Sequence, residues 1–174
     1  MRIKQIKVYP FDELSDEGKE QAVNKLQDIN VFDEWCGCVY DDAERVGLKL
    51  TEFDIDRGNY CRGDFIETAT DTARKIIEDH GPDCETYKTA MEFNKESAEL
   101  YMKYPVVLDD NGDDDNEIDR DREQDELDYE FLLSILEDYR IMLQNEYEYL
   151  TSEEMIIETI RANEYEFTAD GNLA

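Results

Sequence analysis

Asp54 and Asp56 stand two residues apart in the run FDIDRG, and on an extended strand that spacing turns both carboxylates to one face. Two carboxylates placed in this way can share a divalent metal, so a metal-dependent phosphoesterase using Asp54 and Asp56 is the one enzymatic chemistry the chain suggests. The simpler account makes them the solvent face of a hairpin, with Arg57 as ion partner. Nucleophilic catalysis has little material. There is no glycine-rich phosphate loop and no serine elbow, and His80 is the single histidine. No catalytic residue is assigned, and the chain is read as non-enzymatic.

Metal chemistry fares no better. Cys36, Cys38, Cys61 and Cys84 lack the two-residue spacing of a zinc knuckle or redox motif and read as free thiols of a reducing compartment, a zinc site from them with His80 being the alternative. The run from Asp109 resembles a calcium loop in composition, with Asn111, Asp113 and Asp115 at the odd positions. However, its glycine is Gly112 instead of the sixth residue, and the twelfth residue is Arg120 where a bidentate glutamate is required. No metal and no cofactor is expected, beyond weak and nonspecific divalent binding.

What the sequence does concentrate is negative charge. Residues 109–130, DDNGDDDNEIDRDREQDELDYE, hold thirteen carboxylates offset only by Arg120 and Arg122. The whole chain of 174 residues carries 47 acidic against 18 basic side chains, a net charge of -29. Residues 1–104 account for -10 of it and residues 105–174 for -19, with no lysine after Lys103. Self-repulsion on this scale opposes a compact state, and 40% hydrophobic and 11% aromatic residues are what can hold one together. No apolar run approaches the ~20 residues of a membrane span. The N-terminus MRIKQIKVYPFDEL alternates charged with apolar residues where a signal peptide keeps an unbroken apolar stretch. A cytoplasmic protein without membrane contact is expected.

The elements that position these residues follow from periodicity. Ile3, Ile6 and Val8 before Pro10 predict a strand over roughly residues 2–9. Ser15 is a candidate N-cap for a helix that buries Ala22, Val23, Leu26 and Ile29. Phe32, Trp35, Val39, Ala43 and Val46 predict a second helix ending at Gly47. LKLTEFDID and YCRGDFIET, with RGN between them, predict a hairpin that carries Leu48, Leu50, Phe53, Phe65 and Ile66. A helix follows over TATDTARKIIEDHG, with Ala69, Ala73, Ile76 and Ile77 inward. After Pro82 another helix is expected, with Tyr87, Ala90, Met91, Ala98, Tyr101 and Met102 inward and Pro105 closing it. Leu132, Leu136, Tyr139, Leu143, Tyr147 and Leu150 form the stripe of a long amphipathic helix. A helix capped by Thr151 or Ser152 and a strand with Tyr165 and Phe167 complete the chain. The expected fold is a single α+β domain over residues 1–174. Its small antiparallel sheet comprises the N-terminal strand, the hairpin and the C-terminal strand, packed by four to six helices. The acidic loop and long C-terminal helix, residues 105–150, form an elaboration.

VYPFDELSDEGKEQAVNKL, FDIDRGNYCRGDF with IIEDHGPDCETYKTA, and NEYEFTADGNL together resemble a group of small acidic proteins of phages, prophages and mobile elements, loosely labelled antitoxins of toxin-antitoxin stability systems. The resemblance implies an inhibitor of a host nucleic-acid enzyme, an anti-CRISPR protein among them. It agrees with charge density: if helical, residues 109–130 would span ~33 Å and carry about one net charge per 3 Å, against one per 3.4 Å for a DNA strand. RNA-guided nucleases hold their heteroduplex in a positively charged channel. Asp113, Asp114, Asp115, Glu117, Asp119, Asp121, Glu123, Asp125 and Glu126 are therefore the expected partner-binding residues, standing in for phosphates. The expected partner is a basic nucleic-acid-binding protein of the host bacterium, with no direct contact to nucleic acid. The alternatives are an antitoxin-like regulator that binds a protein through the apolar face of the long helix and, with less support, the phosphoesterase above. A homodimer through the tyrosine-bearing helices stays open.

Overall fold

A computed structural model of the chain describes residues 6–174. It is an α+β protein, 57% helical, with six α-helices and two two-stranded antiparallel sheets among these residues. In chain order the elements are β1 (Tyr9–Pro10), α1 (Asp16–Lys25), α2 (Gly37–Val46), β2 (Leu48–Asp54), β3 (Tyr60–Phe65), α3 (Ala69–Asp79), α4 (Glu85–Lys103), α5 (Glu117–Leu150), α6 (Glu153–Ala162) and β4 (Glu166–Phe167). The described residues form two compact units, residues 6–36 with 144–174 and residues 37–143.

The first unit is built where the two ends of the chain meet. β1 pairs antiparallel with β4, Tyr9 opposite Phe167. Phe11, Leu14, Ala22, Ile156, Ile160 and Phe167 form its core, with Val23, Leu26 and Ile29 packed against it. The Phe11 and Phe167 rings meet edge to face at 6.1 Å. Ser15 and Ser152 cap α1 and α6 by accepting from the amides of Gly18 and Met155. Gly171, at φ +70, lets the C-terminal turn cross α1 so closely that a Cβ there would lie 2.4 Å from the Gly18 carbonyl oxygen.

In the second unit α2 ends at Gly47, whose φ of +93 is the left-handed conformation that stops a helix. The Gly47 carbonyl then accepts from Ile66 N at 2.8 Å and from the buried Thr72 hydroxyl at 3.2 Å, which fixes the hairpin and α3 to this corner. β2 and β3 pair with Leu48 opposite Phe65 and Phe53 opposite Cys61, across a bulge between Leu50 and Glu52. Val46, Leu48, Ala73, Ile76, Ala90, Phe93, Phe131, Ile135, Tyr139 and Leu143 fill the core.

Four expectations need correction. Among the described residues the hairpin does not pair with β1 or β4, and two two-stranded sheets stand where one was expected. Among the described residues the first strand is Tyr9–Pro10. Residues 6–8 are not in a strand, and Ile3 lies outside the described residues. The second helix begins at Gly37; Phe32 is exposed, and Trp35 packs edge-on against Tyr147 at 5.7 Å instead. α4 is rotated from its expected register. Thr86, Ala90, Phe93 and Leu100 face inward, whereas Met91, Ala98, Tyr101 and Met102 are exposed. Thr86 can turn inward because its hydroxyl shares a 2.7 Å hydrogen bond with His80 Nδ1.

Candidate partner-binding surface

α4 and α5 run antiparallel as a helical hairpin. Phe93 stacks on Phe131 at 4.4 Å between ring centroids, and Phe65 of β3 stacks on the same ring at 5.7 Å. Polar contacts fix the register at either end. Thr89 donates to Asp138 at 2.7 Å, Ser97 to Gln124 at 3.1 Å, and Tyr104 to Glu123 at 2.6 Å. Between the helices lies an open groove of about 490 Å³, with Leu100 and Leu127 in its lining, that holds Glu96, Glu99, Glu123, Glu126 and Glu130. A smaller cleft of about 260 Å³ shares Glu96, Leu127 and Glu130 with it and adds Glu92.

Two acidic rails result. Glu92, Glu96 and Glu99 sit at i, i+4 and i+7 on α4, and Glu123, Glu126 and Glu130 at i, i+3 and i+7 on α5, the spacings that align side chains on one helix face. The two cations in the groove are already engaged. Lys103 donates to Glu123 at 2.7 and 2.9 Å, and Arg122 pairs with Asp119 at 3.1 Å. Exposed like charges at ~4 Å repel by about 1 kcal/mol even in water. A surface selected for solubility and stability alone would interleave signs.

The sequence-predicted carboxylates are distributed around this hairpin and not along one rod, because α5 begins only at Glu117 and residues 109–116 form a turn. Asp113, Asp115, Glu117, Asp119, Asp121, Asp125 and Glu126 are exposed. Asp114 and Glu123 have internal work. Asp114 accepts from Val107 N at 3.0 Å and Asn116 N at 3.1 Å and is ion-paired with Arg120, and these contacts, the Val107 amide first, hold its carboxyl below the usual range. Of the nine, Glu123 and Glu126 line the groove. Glu92, Glu96 and Glu99 were not anticipated, although their helical spacing was a readable signal.

Arg120 is 8% exposed, donates to the Tyr104 carbonyl at 3.1 Å, and pins the turn to α4. Replacing it with methionine should free the turn while leaving the core packed. Asp-specific proteolysis within residues 105–116 is expected to quicken by ~10-fold or more with little change in thermal midpoint. An unchanged cleavage rate would mean that the turn does not depend on Arg120.

The other candidate residues make structural contacts. Asp54 Oδ1 accepts from the amides of Asp56 at 2.9 Å and Arg57 at 3.0 Å, so its carboxylate closes the hairpin turn, and the backbone donors lower its pKa. Among the described residues no three His, Cys, Asp or Glu side chains gather to hold a metal. Burial pushes the Cys61 thiol up to about 11. In the stripe named for the long helix, Leu136, Tyr139 and Leu143 are buried and Leu132, Tyr147 and Leu150 half-buried, so that face is already covered by the chain's own packing.

His80 closes a buried polar network that the sequence did not reveal. Its Nδ1 meets Thr86, and its Nε2 lies 3.4 Å from Asp42 Oδ2, an ion-pair distance without a hydrogen bond; that oxygen accepts from the Tyr139 hydroxyl at 2.8 Å. Thr, His and Asp in a row suggest a nucleophilic relay, but Thr86 is buried at the start of α4 and no substrate reaches it. The network ties α2, α3, α4 and α5 together. His80, then Tyr139 and Arg45, hold Asp42 at about 2, below its ordinary 3.8. The stabilisation from this shift is therefore complete above about pH 4 and lost as the pH falls toward 2. Discounted for partial exposure, it is on the order of 1–2 kcal/mol. The stability gap between the protein and its Asp42→Asn variant should narrow across that window in acid denaturation, and a constant gap would deny the carboxylate this role.

Among the described residues no helix is long and apolar enough to cross a membrane. No protein family, curated protein or solved structure matches the chain, so any functional reading rests on the surface itself.

Proposed function

We propose that the chain is a non-enzymatic inhibitor of phage or mobile-element type. It occupies the nucleic-acid path of a basic host defence protein, an RNA-guided nuclease being the most concrete instance, and so acts as an anti-CRISPR protein. The observation that carries this reading is the pair of acidic rails on α4 and α5, continued by exposed carboxylates around the hairpin turn. From Glu117 to Glu130, eight acids and two arginines leave six net charges on fourteen helical residues. That is about one per 3.5 Å of axis, close to the 3.4 Å charge spacing of a DNA strand. Lysines and arginines arranged for phosphates would meet carboxylates at a similar pitch, with attraction that acts at long range in low salt.

The test is retention of an RNA-guided nuclease on the immobilised chain, followed by a salt titration and competition with duplex DNA. Release by salt and displacement by DNA is the expected result. Retention indifferent to both would reject phosphate mimicry.

A further inference from the structure

The tip of the α4–α5 hairpin carries apolar side chains that the core does not take up. Tyr101, Met102, Val106, Val107, Leu108 and Ile118 are all exposed, Met102 by 80% and Ile118 by 82%. These six are among fifteen large apolar side chains left exposed in the described residues, yet they fall within eighteen positions. Single exposed apolar residues are ordinary on any protein, whereas a concentration of them marks an interaction site.

The tip is held in place. Asn116 Nδ2 donates to the Pro105 carbonyl at 2.8 Å, Asp115 N to the Val107 carbonyl at 3.0 Å, and the Arg120 guanidinium lies 5.5 Å from the Tyr101 ring centroid. The polar groups of the segment thus satisfy one another and its apolar groups face out. Asp110, Asp113, Asp115 and Glu117, all exposed, belong to the same segment.

We infer that this tip is the apolar anchor of the partner interface, and that it takes a basic amphipathic surface in which apolar residues are flanked by lysine and arginine. Apolar centre and charged rim are the usual anatomy of a protein interface. The acidic rim selects the occupant. A second copy of a chain with net charge -29 would bring like charges together, as would a nucleic acid or an anionic membrane. The inference rests on the proposed reading that the partner is basic. It adds that the partner must also supply apolar contact, so that a bare polycation does not suffice.

Two synthetic 18-residue helical peptides serve as probes, both with lysine and arginine on one face, one with leucine and the other with alanine on the opposite face. Binding to the full chain is followed by fluorescence anisotropy. The leucine peptide is expected to bind ~10-fold or more tightly than the alanine peptide, as desolvated apolar anchors do. The combined variant Met102→Ser, Leu108→Ser and Ile118→Ser should remove that difference while leaving the salt dependence unchanged, and circular dichroism should confirm that it remains folded. Equal affinity of the two peptides, no binding of either, or an unaffected triple variant would overturn the anchor. So would a dimer in sedimentation that the triple variant dissociates. Neutralising the rails should lower both affinities by a common factor. If it changes neither while the triple variant still abolishes the difference, the phosphate-mimic reading fails and the anchor stands.

Discussion

Changing Glu92, Glu96, Glu99, Glu126 and Glu130 together to glutamine is expected to weaken retention of a basic nucleic-acid-binding partner by about 100-fold at low salt. Exposed charge pairs contribute ~0.2–1 kcal/mol each, so five of them amount to roughly 3 kcal/mol, and about 1.4 kcal/mol is tenfold in affinity. All five side chains are exposed on helices whose inward faces carry the packing, and glutamine preserves their shape. Thermal stability should stay level or rise, because the substitutions relieve repulsion within the groove. The dependence of affinity on salt should flatten at the same time, since fewer charges remain to be screened. A partner retained with undiminished affinity and an unaltered salt dependence would leave the rails as a solubilising skin.

The helices were legible in the sequence wherever one polar residue marked an end or one apolar face was unambiguous. Ser15 and Ser152 are capping residues that advertised α1 and α6, and Gly47 announced the end of α2. α4 was legible as a helix but not in its rotation. Tyr87, Met91, Tyr101 and Met102 fit the helical period as well as Phe93 and Leu100 do, with Ala90 common to both, and only tertiary contacts decide between the two faces. Here the decisive ones are the stack of Phe93 on Phe131 and the bond between Thr86 and His80, which brings a polar residue inward. Strand pairing was hidden for a related reason. Alternation identifies a strand without naming its partner, and β1 finds β4 across more than 150 residues of chain. The acidic run was visible at once, but the groove was not, because Glu96 and Glu130 come together only after the chain turns back on itself.

That turning back depends on Phe131, and the largest stability effect is expected there. Phe131 is buried, and the rings of Phe65 and Phe93 both stack on it. Phe131→Ala should destabilise the unit formed by residues 37–143 by about 3–5 kcal/mol, the cost of the lost transfer energy plus the cavity, whereas Phe131→Leu should cost much less. Trp35, the single tryptophan, belongs to the other unit. Urea unfolding is best followed by far-ultraviolet circular dichroism, with the slope checked for constancy between variants. Partner retention should fall along with stability in Phe131→Ala, although no charge has been altered, because the stack holds the two rails at their separation. The rail substitutions should do the reverse and lower retention without lowering stability. A Phe131→Ala protein within ~1 kcal/mol of the parent would be too mild for a filled core site, and would mean that the polar register contacts of Thr89, Ser97 and Tyr104, not the aromatic stack, set the geometry of the groove.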